Sequence, residues 1–321
     1  MMRLKLISND TKIDFMGMRW YSVLGSGVAL LVAIGFFLVM GLNFGIDFRG
    51  GTMLEVRTPQ AANLSVIRAA TNALDLGDVA VQEFGDPQDV LIRIETQPGD
   101  GDAQMAVVSK VQAALVAAVP GAEFRRVEVV GPKVSGELVV EGALAIGLAV
   151  LVVLIYIWLR FEWQFSVGAV VALVHDVVLT IGVFALFQLE FNLSIIAALL
   201  TIVGYSLNDT VIVFDRVREN LRRYKSMGLR DLLNLSINET LSRTLVTSGT
   251  TLLALTVLYS FGGEVIRGFT FAMIWGILVG TYSSIFVAAV ALLRLGVKRN
   301  WTNEGEDGGG PAGVQFSGAQ V

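Results

Sequence analysis

Six apolar runs, each near the length of a bilayer, leave this chain few folds to choose from. They fall at about 21–42, 142–159, 165–188, 191–214, 243–261 and 269–293. Roughly 20 apolar residues carry a helix across the hydrocarbon core. Lipid offers no partner to a free N–H or C=O, so such runs become helices that satisfy their own backbone. Only 16% of the 321 residues are charged, where a soluble domain carries about a quarter. The chain reads as an α-helical polytopic membrane protein with six spanning helices. Residues 1–20 are polar for too long to be a cleaved signal peptide, so the first run is expected to remain as a span.

An even number of spans puts both termini on one side, and Lys and Arg decide which side that is. With the N-terminus inside, the inner segments carry fourteen basic residues, from Arg3 to Arg299, and the short outer turns carry only Arg267. The expectation is N-in and C-in. The long segment between the first two spans is left out of that count, because long segments translocate regardless of charge.

That segment, 43–141, patterns as a domain. It reads strand "TMLEVRT", helix "AANLSVIRAATNALD", strand "VAVQEFG", strand "VLIRIET", helix "QMAVVSKVQAALVAAV", strand "AEFRRVEVV". Gly77-Asp78, Gly85-Asp86-Pro87 and Pro98-Gly99 punctuate it. The order βαββαβ is that of an α+β, ferredoxin-like sheet with two helices on one face. It lies outside the membrane, between helices one and two.

Segment 215–242 begins basic and turns amphipathic, with Leu229, Leu232, Leu233, Ile237 and Leu241 near one helical face. Two readings stand. One is a positive-inside anchor with a helix lying on the membrane surface; the other is a contact surface for a partner. The tail, 294–321, has the Gly and Pro density of disorder.

Ionisable groups inside the spans carry the functional question, because each costs about 2.5–3.5 kcal/mol near the bilayer centre. Asp209 lies six residues before Asp215, about 9 Å deeper along a helix. Thr201, Tyr205 and Asp209 repeat at i, i+4 and i+8, with Gly204 and Asn208 beside them. Arg243 enters helix five from the same side, followed on its face by Thr247, Thr250 and Thr251. Asp209 and Arg243 at one depth would lower each other's cost, either as a fixed ion pair or as a pair that changes protonation. Asp176, mid-helix, reads as a second relay carboxyl or as a packing hydrogen bond. His175 points about 100° away and reads as a satisfied interior histidine. Gly276-x-x-x-Gly280 in helix six reads as a close helix–helix packing motif. Asn208, Asp176 and Thr247 are the supporting polar groups.

Several functions drop out. No cysteine is present and the single histidine excludes imidazole-cluster metal sites. A net charge of -4 without a basic stripe argues against nucleic acid. No nucleophile–base set or phosphate loop is visible, so the chain reads as a non-enzyme.

Five motifs carry a resemblance. "NFGIDFRGGT" follows helix one and "VVGPKVSGEL" precedes helix two. "VGYSLNDTVIVFDRVREN" lies in helix four, "TLSRTLVTSGTTLLAL" in helix five and "FGGEVIRGFTFAMIWGILVGTYSSIFVA" in helix six. Over about 14–295 the chain resembles the SecD/SecF family of protein-export membrane proteins, on its SecF side; a SecD would have a much larger external region. The family belongs to the resistance-nodulation-division (RND) superfamily, whose unit has twelve helices, so six imply a partner with six more.

The resemblance implies an auxiliary subunit of the Sec translocase in the bacterial cytoplasmic (inner) membrane. It implies SecD as obligate partner, the SecYEG channel and YajC as further partners, and unfolded exported polypeptide as the load, with lipid around the spans. It also implies the proton as coupling ion, with no cofactor. By motif it assigns the proton-relay pair to Asp209 ("LNDT") and Arg243 ("LSRT"), and an outer junction to Asp47, with Arg49, Gly50 and Gly51 ("GIDFRGG"). Half of an RND-type small-molecule or lipid exporter, and a non-transporting scaffold, are the other classes. An exporter half would need an apolar pocket, and a scaffold would tolerate neutral replacement of the buried charges.

Overall fold

The computed structural model describes residues 11–99 and 101–297, the backbone alone at 101 and 102. The readings placed on 1–10 and 298–321, including four of the counted basic residues and most of the tail, lie outside the described residues.

Among the described residues six helical spans are long and apolar enough to cross a membrane. A short turn, Met16–Met18, leads into α1 (Arg19–Met40). After the external domain come α5 (Pro132–Arg160), α6 (Trp163–Phe187), α7 (Leu193–Arg223) and α8 (Leu229–Phe261). The sixth span is α9 (Glu264–Ser283), continued through a π turn (Ser284–Ala288) into α10 (Ala289–Leu295). α6, α7 and α9 form the centre of the bundle, while α1, α5 and α8 are peripheral and mostly exposed. Residues apolar all round suit either place, since lipid and protein interior are equally greasy.

Three helices extend nine or more residues past their hydrophobic runs. α7 continues beyond 214 through basic residues to Arg223. α5 begins ten residues before 142, at Pro132, with Gly131 as its N-cap; proline at the first turn has no N–H to leave unsatisfied. α8 absorbs the amphipathic half of segment 215–242, from Leu229 onward. Leu232, Leu233, Ile237 and Leu241 are buried with Val213, Val217, Leu221 and Met16, so this face packs on protein and not on the membrane surface. Asn234 and Asn238, one turn apart, tie the chain before α1 to α8. Met16 N–H donates to Asn234 Oδ1 at 2.9 Å and Ile13 N–H to Asn238 Oδ1 at 3.0 Å. Asp14 closes the strap on Arg230 at 2.7 Å and Asn234 at 2.7 Å.

The external domain follows β1 (Asn43–Phe44) and the single turn α2 (Ile46–Arg49). Its elements are β2 (Gly51–Arg57), α3 (Leu64–Asn72), β3 (Val79–Phe84), β4 (Asp86–Ile94), α4 (Gly101–Ala118) and β5 (Glu123–Val130). The strands lie in the order β3-β4-β2-β5, every neighbour antiparallel, with Leu54 opposite Ile92 on one side and Val127 on the other. This is the split βαβ sheet expected from the sequence. Leu54, Val56, Val81, Val90, Ile92 and Ile94 turn to the helices and are buried with Ile67, Val111 and Leu115. Each such side chain contributes about 1.5–3 kcal/mol. Asn63 caps α3 by accepting from the N–H groups of Ser65 and Val66.

The second face of the sheet looks at the ends of the membrane helices across a groove of about 870 Å³. Met53, Glu55, Leu91, Arg126, Phe187 and Tyr259 are among its walls. β1 pairs in parallel with β6 (Glu190–Phe191), the two-residue strand between α6 and α7. Arg93 of β4 meets Glu190 at 2.6 Å. Gly50 and Gly51 turn the chain into the sheet with φ of +73° and +115°. A Cβ on Gly51 would strike the carbonyl of Ile94, so only glycine fits there.

Candidate functional site

The sixth span places four consecutive hydroxyl residues, Thr281 to Ser284, at the centre of the bundle, where α9 passes into the π turn, and each meets a different helix or group. Gly276 and Gly280 make this possible: a Cβ at Gly276 would strike Ile202, and one at Gly280 would crowd Ser206. α7 and α9 therefore pack closely there, as the small-residue spacing predicts. The π turn begins at Ser284, and such bulges are frequent at functional sites.

On one side of that hub is Asp209, 1% exposed. Its Oδ2 accepts from Ser248 Oγ of α8 at 3.3 Å, and Oδ1 has no partner among the described residues. Ser248 also shares a 2.9 Å hydrogen bond with Thr281 Oγ1. Next to Asp209 in the chain, Thr210 pairs with Ser284 at 2.8 Å.

On the other side is Asp176 of α6, also 1% exposed. Its Oδ2 accepts from Ser206 at 2.6 Å and Ser283 at 2.7 Å. Its Oδ1 lies 2.9 Å from His175 Nδ1. The imidazole, 2% exposed, stacks on Tyr282, whose hydroxyl lies 3.0 Å from Ser26 Oγ of α1. His175 Nε2 is buried without a partner among the described residues.

The structure separates residues that the sequence groups together. Asp209 and Arg243 stand at similar depth, 16 and 18 residues from the domain-side ends of their helices, about 24 and 27 Å along the axes. They form no ion pair. The α8 stripe that faces α7 is Ser236, Thr240, Thr244 and Ser248, and Arg243 is turned about 100° from it. Arg243 is exposed, without a side-chain partner among the described residues, and attracts Asp209 only at longer range. α7 likewise has two polar strips. Ser206, Asp209 and Thr210 face inward, whereas Thr201, Gly204 and Asn208 are exposed, with Tyr205 between. Thr247 is half-buried and uses its hydroxyl on its own helix, donating to Arg243 O at 3.1 Å.

Sequence reasoning named Asp176 but missed its partners. The available signal was the hydroxyl run Thr281–Ser284 inside an apolar span. His175 does not have both ring nitrogens satisfied, contrary to the expectation.

At the junction, Asp47 Oδ2 accepts the N–H of Leu193, the first residue of α7, at 2.7 Å. Arg49 is exposed, and its carbonyl accepts from Thr96 at 3.4 Å. Burial first, and then the charges of Asp47 and Glu128, push the Glu190 carboxyl above the usual range, against the pull of Arg93.

Buried carboxylates and hydroxyls joining five helices, under an external α+β domain, define a polytopic membrane protein of the transport class. Family models match twice, "Protein export membrane protein SecD/SecF, C-terminal" over residues 110–298 and "SecD/SecF GG Motif" over 35–62. The "Protein translocase subunit SecF" of Rhodobacter capsulatus is 51% identical over 93% of each chain. That of Cereibacter sphaeroides is 49% identical over 98% of each. A crystal structure of SecDF, a translocon-associated membrane protein from Thermus thermophilus, superposes with a TM-score of 0.81 at 33% identity. It covers 92% of this chain, which spans 39% of that longer one. Against SecDF in a super-membrane-facing form the TM-score is 0.61, at 32% identity and with 89% of this chain and 39% of that one covered. The chain belongs to the SecD/SecF family of protein-export membrane proteins, on its SecF side, and is a protein translocase subunit and not an enzyme.

Proposed function

We propose that this chain is half of a proton-coupled export unit in the bacterial inner membrane, its termini in the cytoplasm and its external domain on the far side. With a six-helix SecD partner it uses the proton-motive force to promote late steps of polypeptide translocation through the SecYEG channel, with YajC as a further companion. No cofactor takes part; the coupling ion is the proton.

One observation carries this reading: two charges at one depth that the other described residues do not satisfy. Asp209 is buried with one oxygen unpartnered, and Arg243 is exposed on a spanning helix. An exposed guanidinium at that depth is costly in lipid. A partner seated on the strip Thr201, Gly204, Asn208, Arg243 and Thr250 would cover it. Protonation of Asp209 would cancel its attraction to Arg243 and weaken the bond from Ser248, letting α7 and α8 reset. α7 carries that movement to the external domain, because its first N–H is held by Asp47. A proton crossing 100 mV releases about 2.3 kcal/mol, enough to offset one or two ordinary hydrogen bonds of about 1 kcal/mol each.

The test is export into inner-membrane vesicles with and without a proton-motive force. Asp209→Asn and Arg243→Met should each lose the force-dependent part and keep the ATP-driven part. Wild-type force dependence in both variants leaves the scaffold reading in place.

A further inference from the structure

Asp176 sits nearer the bilayer midplane than Asp209. It lies 11 residues from the domain-side end of α6, about 16 Å into the span, near the middle of a hydrocarbon core about 30 Å thick. A carboxylate buried there depends on hydrogen-bond donors around both of its oxygens. This one has two hydroxyl donors from two helices, Ser206 and Ser283, and an imidazole on its other oxygen. His175 Nε2 is buried and has no hydrogen-bond partner among the described residues.

We propose that His175 and Asp176 form a second proton-binding site, separate from Asp209, whose occupancy sets how firmly α6 holds α7 and α9. This rests on the proton-coupled reading above and adds a second group to it.

The step balances with one proton. In the unloaded state His175 Nδ1–H donates to ionised Asp176, and the dyad carries one negative charge. A proton binds the free Nε2 lone pair, forming one N–H bond, and the Nδ1 proton passes to Asp176 Oδ1. The product is a neutral imidazole beside a carboxylic acid. Oδ2 is then the carbonyl of a neutral acid and no longer a carboxylate oxygen. Charge-assisted hydrogen bonds are roughly twice as strong as neutral ones, so Ser206 and Ser283 are held less firmly. Loss of the Nε2 proton reverses the sequence.

Few other ionisable groups bear on the dyad. From α9, Tyr282 stacks on the imidazole. α7 brings Asp209, three residues along from Ser206, and half-buried Tyr205, whose hydroxyl donates to Thr251 of α8. α8 brings Arg243, on the exposed strip. α1 presents Ser22 and Ser26 to Tyr282, and the π turn presents Ser284. The charges of α5 (Lys133, Glu137, Glu141, Arg160) lie in its end turns and its domain-side half, and Arg294 of α10 lies over Trp20. No hydrogen bond joins Asp176 directly to Asp209. The hydroxyl run of α9 stands between them, Ser283 on the first and Thr281, through Ser248, on the second.

The test is infrared difference spectroscopy, acid minus alkaline, on the full chain in lipid nanodiscs. Asp209→Asn should remove one protonated-carboxyl band and leave a second. Asp176→Asn should remove the second, and His175→Gln should shift it while abolishing the accompanying imidazole signal. An Asp176→Asn spectrum equal to wild type overturns the proposal. Should that variant fail to fold, His175→Gln decides alone, and an unshifted carboxyl band with an unchanged imidazole region overturns it equally. The readout needs no export, so it stands or falls apart from the vesicle test on Asp209.

Discussion

Asp47 caps a helix that it is not part of. Its carboxylate takes the first N–H of α7 from 146 residues away in sequence, where an ordinary N-cap comes from the adjoining residue. Asp47→Ala should therefore cost about 1 kcal/mol, the usual value of a lost cap, and Asp47→Asn should keep most of it. Thermal unfolding in detergent measures both. Glu190, beside it, gives a pH dependence. Burial holds its carboxyl above the ordinary range, so the folded junction prefers the protonated form. The contribution is full below the ordinary carboxyl value and is lost as pH rises through the raised one. Amides at the junction, such as Gly45 N–H on Phe191 O at 2.9 Å, should be better protected in mild acid than at neutral pH. Hydrogen exchange corrected for its intrinsic rate reads this, and Glu190→Gln should flatten the trend.

Among the elements, α7 and α9 depend most on close packing. Gly276→Val forces a branched side chain into Ile202, and overpacking of this kind costs about 1–3 kcal/mol. The variant should unfold at lower temperature and lose force-dependent export together, whereas Gly249→Ala, on an open face of α8, should do neither. The elements themselves were legible in the sequence, because apolar length announces a span and βαββαβ order announces the sheet. Which strip of a helix faces inward was harder to read. α7 carries two polar strips about 100° apart, and residue type alone does not say which meets α9 and which is left exposed. That is why the sequence groups Asn208 and Thr201 with Asp209, and why it points to Arg243 as a direct partner. The amphipathic start of α8 was ambiguous for a related reason: a leucine stripe fits lipid and protein equally well. The junction residues Asp47, Gly50 and Gly51 were visible as a motif, but the cap on Leu193 depends on tertiary contact.

At the scale of the whole molecule, one flank of the bundle is unfinished. α8 is largely exposed yet carries Arg243, Thr250, Thr256 and Ser260 on its open faces, which suits contact with protein and not with lipid. The chain contains no cysteine, so Asn208→Cys and Thr250→Cys give unique labels. Both should cross-link to a co-expressed SecD partner within the membrane, while Leu159→Cys on exposed α5 should not. Absence of any cross-link from the α7–α8 strip would place the partner elsewhere. The most direct measurement of the central claim is proton flux. In liposomes holding this chain, its partner and the channel, a pH-sensitive dye reports proton entry while a polypeptide is being exported. Entry should depend on export and be abolished by Asp209→Asn. Export-coupled entry that persists unchanged in that variant would contradict the claim.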